Sequence, residues 1–101
     1  MATVINLRGR NPRVIHLGEV YCGRAINRGG WNLPASKWAN PFKVGQDCQT
    51  IDECLLMYMT HIMMTPGLYQ SLPELRGKTL ACWCKPNPCH CDVLVHILSH
   101  N

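Results

Sequence analysis

The sequence predicts an α/β fold: a single small domain over residues 1–101, with about four strands in a mixed sheet, two main helices and a long irregular loop. Three observations lead there. Short β-rich runs lie near the start of the chain and again around residue 80, two stretches keep the helical spacing of apolar side chains, and 101 residues suffice for one core. With 47% apolar and 16% charged residues, the composition is that of a globular chain rather than a disordered one.

Residues 3–7 (TVINL) open with a strand, and RGRNPR ends it, with Asn11-Pro12 marking the break. Residues 14–17 and 20–22 read as two further short strands around Gly18-Glu19. Residues 23–49 hold four glycines and two prolines with no sustained period, and so long an irregular stretch in a small domain is commonly functional. Thr50 begins the first main helix. Thr50-Ile51-Asp52-Glu53 matches a capping box, in which the threonine hydroxyl and Glu53 satisfy each other's orphan amides. Ile51, Leu55, Tyr58 (or Met59) and Ile62 form its expected buried face, and Met57, Met59, Met63 and Met64 read as core filler. Thr65-Pro66-Gly67 ends the helix.

Residues 68–75 predict a short helical piece interrupted by Pro73. Arg76-Gly77 then turns into an apolar strand over 78–84, rich enough to be central. Asn87 can cap the last helix and Pro88 fits its first position, because a proline lacks the N–H that would be unpaired there. That helix runs over about 88–99, with Val93, Ile97 and either Leu94 or Leu98 inward.

The net charge of +4 is unevenly placed. Residues 1–45 hold seven basic side chains against Glu19 alone, while residues 46–101 carry a small acidic excess. This suits an anionic partner, either a phosphate-bearing small molecule or nucleic acid; a solvated basic face is the plainer alternative. No apolar run approaches the roughly 18 residues of a membrane span, and MATVINLRGR lacks a signal-peptide core. The expectation is an intracellular protein in the cytoplasm or nucleus of the cell or host, not secreted. Its seven cysteines then read as thiols or ligands before disulfides. Cys22, Cys48 and Cys54 fit small buried hydrophobes, and His96 and His100 fit terminal surface histidines.

The chemistry concentrates in residues 80–91, LACWCKPNPCHC. On a strand, Cys82 and Cys84 share one face and Trp83 takes the other. Cys89, His90 and Cys91 are consecutive, so on a regular helix about 100° separates neighbours and all three cannot face one point. The spacing C-x-C-x4-C-H-C is not a standard zinc pattern, yet Cys82, Cys84, Cys89 and one of His90 or Cys91 converge on zinc if the loop folds back. A cysteine in the first helical turn feels unpaired amides and the positive dipole end, which favour its thiolate. Cys89 is therefore the candidate nucleophile and His90 its candidate acid or base. Otherwise the step is structural.

Two segments, YCGRAINRGGWNLPASKWANPF (21–42) and LPELRGKTLACWCKPNPCHCDVL (72–94), closely resemble domain-of-unknown-function family 4326, small proteins of bacteria, phages and large DNA viruses. Asn6, Leu7 and Arg8 fit the family's first block, Gly23-Arg24 its second, and Ser36, Trp38, Asn40, Pro41 and Phe42 its third. Tyr58 fits the helical tyrosine, and Arg76 to Leu80 with Cys82 to Leu94 fit the last block. Cys91 departs from a typical glycine, as does Ala39, so Cys91 is a poor choice for a required metal ligand. The resemblance implies no activity. It marks Asn6, Arg8, Arg24, Ser36, Lys37, Trp38, Asn40, Cys84 and Asp92, beside Cys89 and His90, as the polar and aromatic positions of the pattern, a set suited to a phosphorylated ligand.

The expected site is a pocket between the 23–42 loop and the 84–92 step. Arg8, Arg24 and the helix amino terminus hold an anionic, nucleotide-like ligand there, and Trp38 stacks on its ring. The alternative is a non-enzymatic nucleic-acid-binding module, with structural zinc as its one cofactor, or a virion or structural homodimer formed through a sheet edge or the Met-rich helix. No other cofactor is expected.

Overall fold

The computed structural model describes residues 2–84 and 87–99. In order they form β1 (Thr3–Asn6), β2 (Glu19–Tyr21), α1 (Ile51–Met64), α2 (Pro66–Ser71), a 3-10 turn at Leu72–Leu75, β3 (Thr79–Cys82) and α3 (His90–Ser99). The strands make one three-stranded sheet ordered β1-β3-β2, with both pairings parallel. The α/β class holds, and the 78–84 run is central as expected. The sheet has three strands rather than four, however, and is parallel rather than mixed.

The missing strand is the 14–17 run. Val14 is 49% exposed and Leu17 fully so, while Ile15 packs against the loop-covered cluster, so the run has one inward side chain rather than a strand face. It instead rounds a loop closed by Arg10 and Glu19, whose two guanidinium–carboxylate bonds measure 2.5 and 2.8 Å. The amide of His16 donates to the same carboxylate at 2.7 Å. The Arg10 hydrogen bond holds the Glu19 carboxyl down at about 2, against an ordinary 4.5. A depressed folded-state pKa stabilises above the unfolded value and ceases to do so as pH falls through the folded one. Wild type should therefore exceed Glu19→Gln in Tm above about pH 4.5, and the gap should close as pH falls to about 2. A gap that persists at the lowest pH would mean the difference is not electrostatic.

Register places Val4, Leu80 and Val20 on one face and Ile5, Ala81 and Tyr21 on the other. The first face joins the main core, where Tyr58 and Ile62 of α1 meet Leu94 and Ile97 of α3. The second is covered by the long loop, through Ile26, Trp31 and Leu33 packed against Leu7, Ala81 and Trp83. Parallel sheets need cover on both faces. Here a loop supplies half of it, which is why the 23–49 stretch is irregular yet fixed. Ile26 and Leu33 exchange two backbone bonds of 2.9 and 2.8 Å.

Thr50 caps α1 by accepting from the Glu53 amide at 3.1 Å. The reciprocal half differs, since the Glu53 carboxylate meets the Thr50 hydroxyl at 3.5 Å rather than its amide. The buried line of α1 is Cys54, Tyr58 and Ile62, with Ile51 exposed. Met63 and Met64 are also exposed, correcting their reading as core filler. Cys48 and Cys54 are joined in a disulfide, not held as separate buried thiols, because the turn before Thr50 lays Cys48 against the first turn of α1. The predicted inner face of α3, namely Val93, Leu94, Ile97 and Leu98, is buried. His96 is exposed, while His100, like Lys85 and Pro86 of the connecting loop, lies outside the described residues. No helix among the described residues is long and apolar enough to cross a membrane.

Candidate functional site

The site is assembled where β3 ends. Strand alternation carries Cys82 into the main core with Cys84 packed beside it, and sends Trp83 to the loop-covered face. Helix α3 starts at His90, two residues later than expected, so Cys89 takes the capping position that Asn87 was predicted to fill. Its Sγ accepts from the Cys91 amide at 3.5 Å, and its own amide donates to Asp92 Oδ2 at 3.1 Å. Asn87 instead donates its amide to the Cys84 carbonyl in a turn, at 2.8 Å. The amides at this helix end are thus already shared between a sulfur and a carboxylate, so the predicted anion seat there is partly filled by the chain itself.

Because Cys89 lies outside the regular helix, the angular objection to a Cys89–His90–Cys91 convergence does not apply. The ligand atoms of these three lie within 4.8 Å of one another, and so do the sulfurs of Cys82, Cys84 and Cys89. The two groups overlap at Cys89, so the predicted zinc set is split between them and Cys91 belongs to one. The Cys82 and Cys89 sulfurs approach to 3.1 Å. Such a donor set can hold a metal ion.

His90 is 8% exposed, with its Nε2 2.5 Å from the Cys22 carbonyl and its Nδ1 3.7 Å from Cys89 Sγ. A carbonyl can only accept, so Nε2 carries the proton and Nδ1 faces the sulfur. The edge of the Tyr58 ring packs on the imidazole at 5.2 Å between centroids. Hydrogen bonding from Cys82, then from Cys84 and Cys91, holds the Cys89 thiol far below its ordinary pKa. Cys82 is lowered to about 7, first through Cys84. Cys84 and Cys91 are pushed up, the former mainly by Cys82 and the latter mainly by Cys22. Burial opposes an imidazolium at His90, but the hydrogen bond and charge of Cys89 outweigh it and raise its pKa. The cluster therefore favours the thiolate at Cys89, and that sulfur in turn favours the imidazolium form of His90.

A pocket of about 280 Å³ opens above this floor, at the carboxyl ends of the strands. Arg24, Asn40, Cys84, Cys89 and His90 line it, so five of the predicted residues are brought together. Asn6 and Arg8 line an adjoining groove of about 580 Å³ that shares Trp83 and Cys84. The remaining four are elsewhere. Trp38 is 1% exposed in the core, its carbonyl accepting from Tyr58 Oη at 2.7 Å, and cannot stack on a ligand. Ser36 Oγ accepts from the Trp38 amide at 3.0 Å, a turn role. Lys37 pairs with Glu74 at 2.7 Å, and Asp92 caps α3.

Sequence reasoning missed Trp83, Tyr21, Gly23, Phe42 and the Cys22 carbonyl. Trp83, Tyr21 and Phe42 are the aromatics lining the pocket, and Trp83 Nε1 donates to Tyr21 Oη at 2.9 Å. That hydroxyl in turn donates to the Arg24 carbonyl at 2.5 Å. Gly23 is the one available signal. A Cβ there would stand 2.7 Å from Tyr21 Cζ, closer than packed carbons tolerate. Gly23→Ala should therefore displace the phenol from both partners, lower stability by about 1–3 kcal/mol and shift the tryptophan emission. An unchanged urea midpoint and spectrum would show that the ring simply moves aside.

A family model described as "Domain of unknown function (DUF4326)" matches residues 5–100. The chain is 35% identical over 83 residues to "Uncharacterized protein R718" of Acanthamoeba polyphaga mimivirus, covering 80% of this chain and 61% of that protein. It is also 54% identical over 28 residues to "Uncharacterized 12.4 kDa protein in nrdA-td intergenic region" of Enterobacteria phage T4, covering 28% of this chain and 26% of that one. The chain thus spans less than two thirds of either relative's length. No solved structure matches.

Proposed function

Since the chain belongs to the DUF4326 family, whose title carries no activity, we propose from the site itself that it binds a small anionic, nucleotide-like ligand in the pocket and acts on it through Cys89 and His90. The observation that carries this reading is the imidazole, held at Nε2 by the Cys22 carbonyl and aimed at the Cys89 sulfur through Nδ1. A nucleophile, a base and a group orienting that base form the arrangement that activates a thiol. In it Cys89 attacks or contacts the ligand, His90 takes and returns the thiol proton, and Arg24 meets negative charge at the rim. At about 280 Å³ the pocket sits at the low end for small-ligand sites and suits something near nucleoside size. The viral and phage relatives are compatible with an intracellular setting or a virion association, while five free cysteines stand beside one disulfide, Cys48–Cys54.

A second reading is favoured by the sulfurs of Cys82, Cys84 and Cys89 lying within 4.8 Å of one another. In it they hold zinc, with His90 or Cys91 nearby, and the protein is a binding module. Metal content per chain, together with thiol alkylation of wild type and Cys89→Ser, separates the two. One fast thiol lost in the variant supports the first. Stoichiometric zinc with silent thiols overturns it in favour of the second.

A further inference from the structure

We propose that the ligand is single-stranded nucleic acid, passing Trp83 as a strand rather than arriving as a free mononucleotide; this rests on the reading that the pocket accepts a nucleotide-like group. Three cavities border the Trp83 indole: the pocket of about 280 Å³, the Asn6–Arg8 groove of about 580 Å³, and a third of about 390 Å³ beside Arg8, Arg28 and Trp31. Cys84 lines the first two, Arg8 the last two, and Ile26 the first and third, so the three adjoin one another around one ring. That ring is held by its bond to Tyr21 and by Trp31 meeting it edge-to-face at 5.3 Å. A fixed aromatic flanked by arginines is what stacked bases and their phosphates require.

The distribution of charge carries the inference further. Among the described residues, no carboxylate lines any of the three cavities, whereas Arg24, Arg8 and Arg28 do. All six acidic side chains are placed elsewhere. Glu19 pairs with Arg10, Glu74 with Lys37, and Asp47 accepts from the Lys43 amide. Asp52 and Glu53 open α1, and Asp92 caps α3. Arg8 and Arg28 are exposed and, among the described residues, have no carboxylate partner. The Arg13 side chain lies against Gly30, one residue beyond the Arg28–Gly29 edge of the third cavity, adding a cation there. One phosphate needs one such group. Arginines spread over three adjoining cavities match successive phosphates along a strand.

The test measures fluorescence anisotropy of labelled oligothymidylates of about 4–16 nucleotides on the full chain, with thymidine monophosphate as competitor and oligouridylates in parallel. The longer oligomers should bind at least about tenfold tighter than the monophosphate. Log affinity should fall with log salt at a slope near −2, from about 0.7 per neutralised phosphate at three arginines, and Arg28→Ala should reduce that slope by about 0.7. Tight binding by either the deoxyribose or the ribose series supports the proposal. Oligomers no tighter than the monophosphate overturn it while leaving the pocket reading intact. No binding by any of these ligands removes both readings.

Discussion

Trp38→Ala is expected to lower the unfolding free energy by about 3–5 kcal/mol, a large share of what a domain this size commands. The indole is 1% exposed and belongs to the main core with Tyr58, Leu94 and Cys22. Its truncation leaves a cavity the surrounding helices cannot fill. It also loosens the backbone whose carbonyl takes the Tyr58 hydroxyl at 2.7 Å, and that tyrosine packs on His90 at 5.2 Å. The residue thus supports the site through two intermediaries and touches no ligand. Urea unfolding of the variant checks the magnitude, with Trp38→Phe as the milder companion, expected to retain ligand binding. A loss under about 1 kcal/mol, joined to abolished ligand binding in Trp38→Phe, would return the ring to a stacking role.

Cys89 is 1% exposed, on the floor of the pocket, so Cys89→Ser is expected to remove alkylation at neutral pH by a reagent small enough to enter, while the fold is kept. Serine is a good helix cap and can accept the Cys91 amide in place of sulfur, so the start of α3 should survive. The chemistry should not. An ordinary thiol is only a few per cent ionised at pH 7, whereas hydrogen bonds from Cys82 and Cys84 favour the thiolate at Cys89 well below that. Allowing for the weaker nucleophilicity of a low-pKa sulfur, the wild-type rate at pH 7 should exceed the variant's by about tenfold. The sign of the pH dependence follows from the same shift. The wild-type rate should be flat through neutrality, and the residual rate in the variant should climb toward pH 9. A wild-type profile that climbs in the same way, or a fast phase surviving in the variant, would transfer the reactivity to half-exposed Cys84.

Much of this arrangement is legible in the residue pattern. The runs at 3–7 and 78–84 each contain a strand and the 20–22 run overlaps one that starts at Glu19, because alternation or continuous apolarity met a real partner, and the Thr50 cap and apolar spacing located α1. The 14–17 run has the same local character but joins no sheet and turns only Ile15 inward, and only tertiary packing distinguishes the two cases. Alternation correctly set Trp83 opposite Cys82, yet it could not say that a cavity wraps round the end of the sheet to reach both. The strand-to-helix step was readable to within two residues. That shift moved Cys89 off the helix and let His90 and Cys91 join it. Cys22 carried no motif, and its carbonyl meets His90 only because β2 pairs with β3.

The middle position of the sheet has a temporal consequence during synthesis. Thr79–Cys82 is the last strand in the chain, and β1 and β2 hydrogen-bond to it and not to each other. As the polypeptide emerges from the ribosome, its first two strands stay unzipped until Thr79–Cys82 has followed them out. Such distant pairing makes assembly slower than local helix formation and leaves bare strand edges for the interval. The thiol cluster can come together only in that same last step, so an arrested nascent chain lacks the chemistry as well as the sheet.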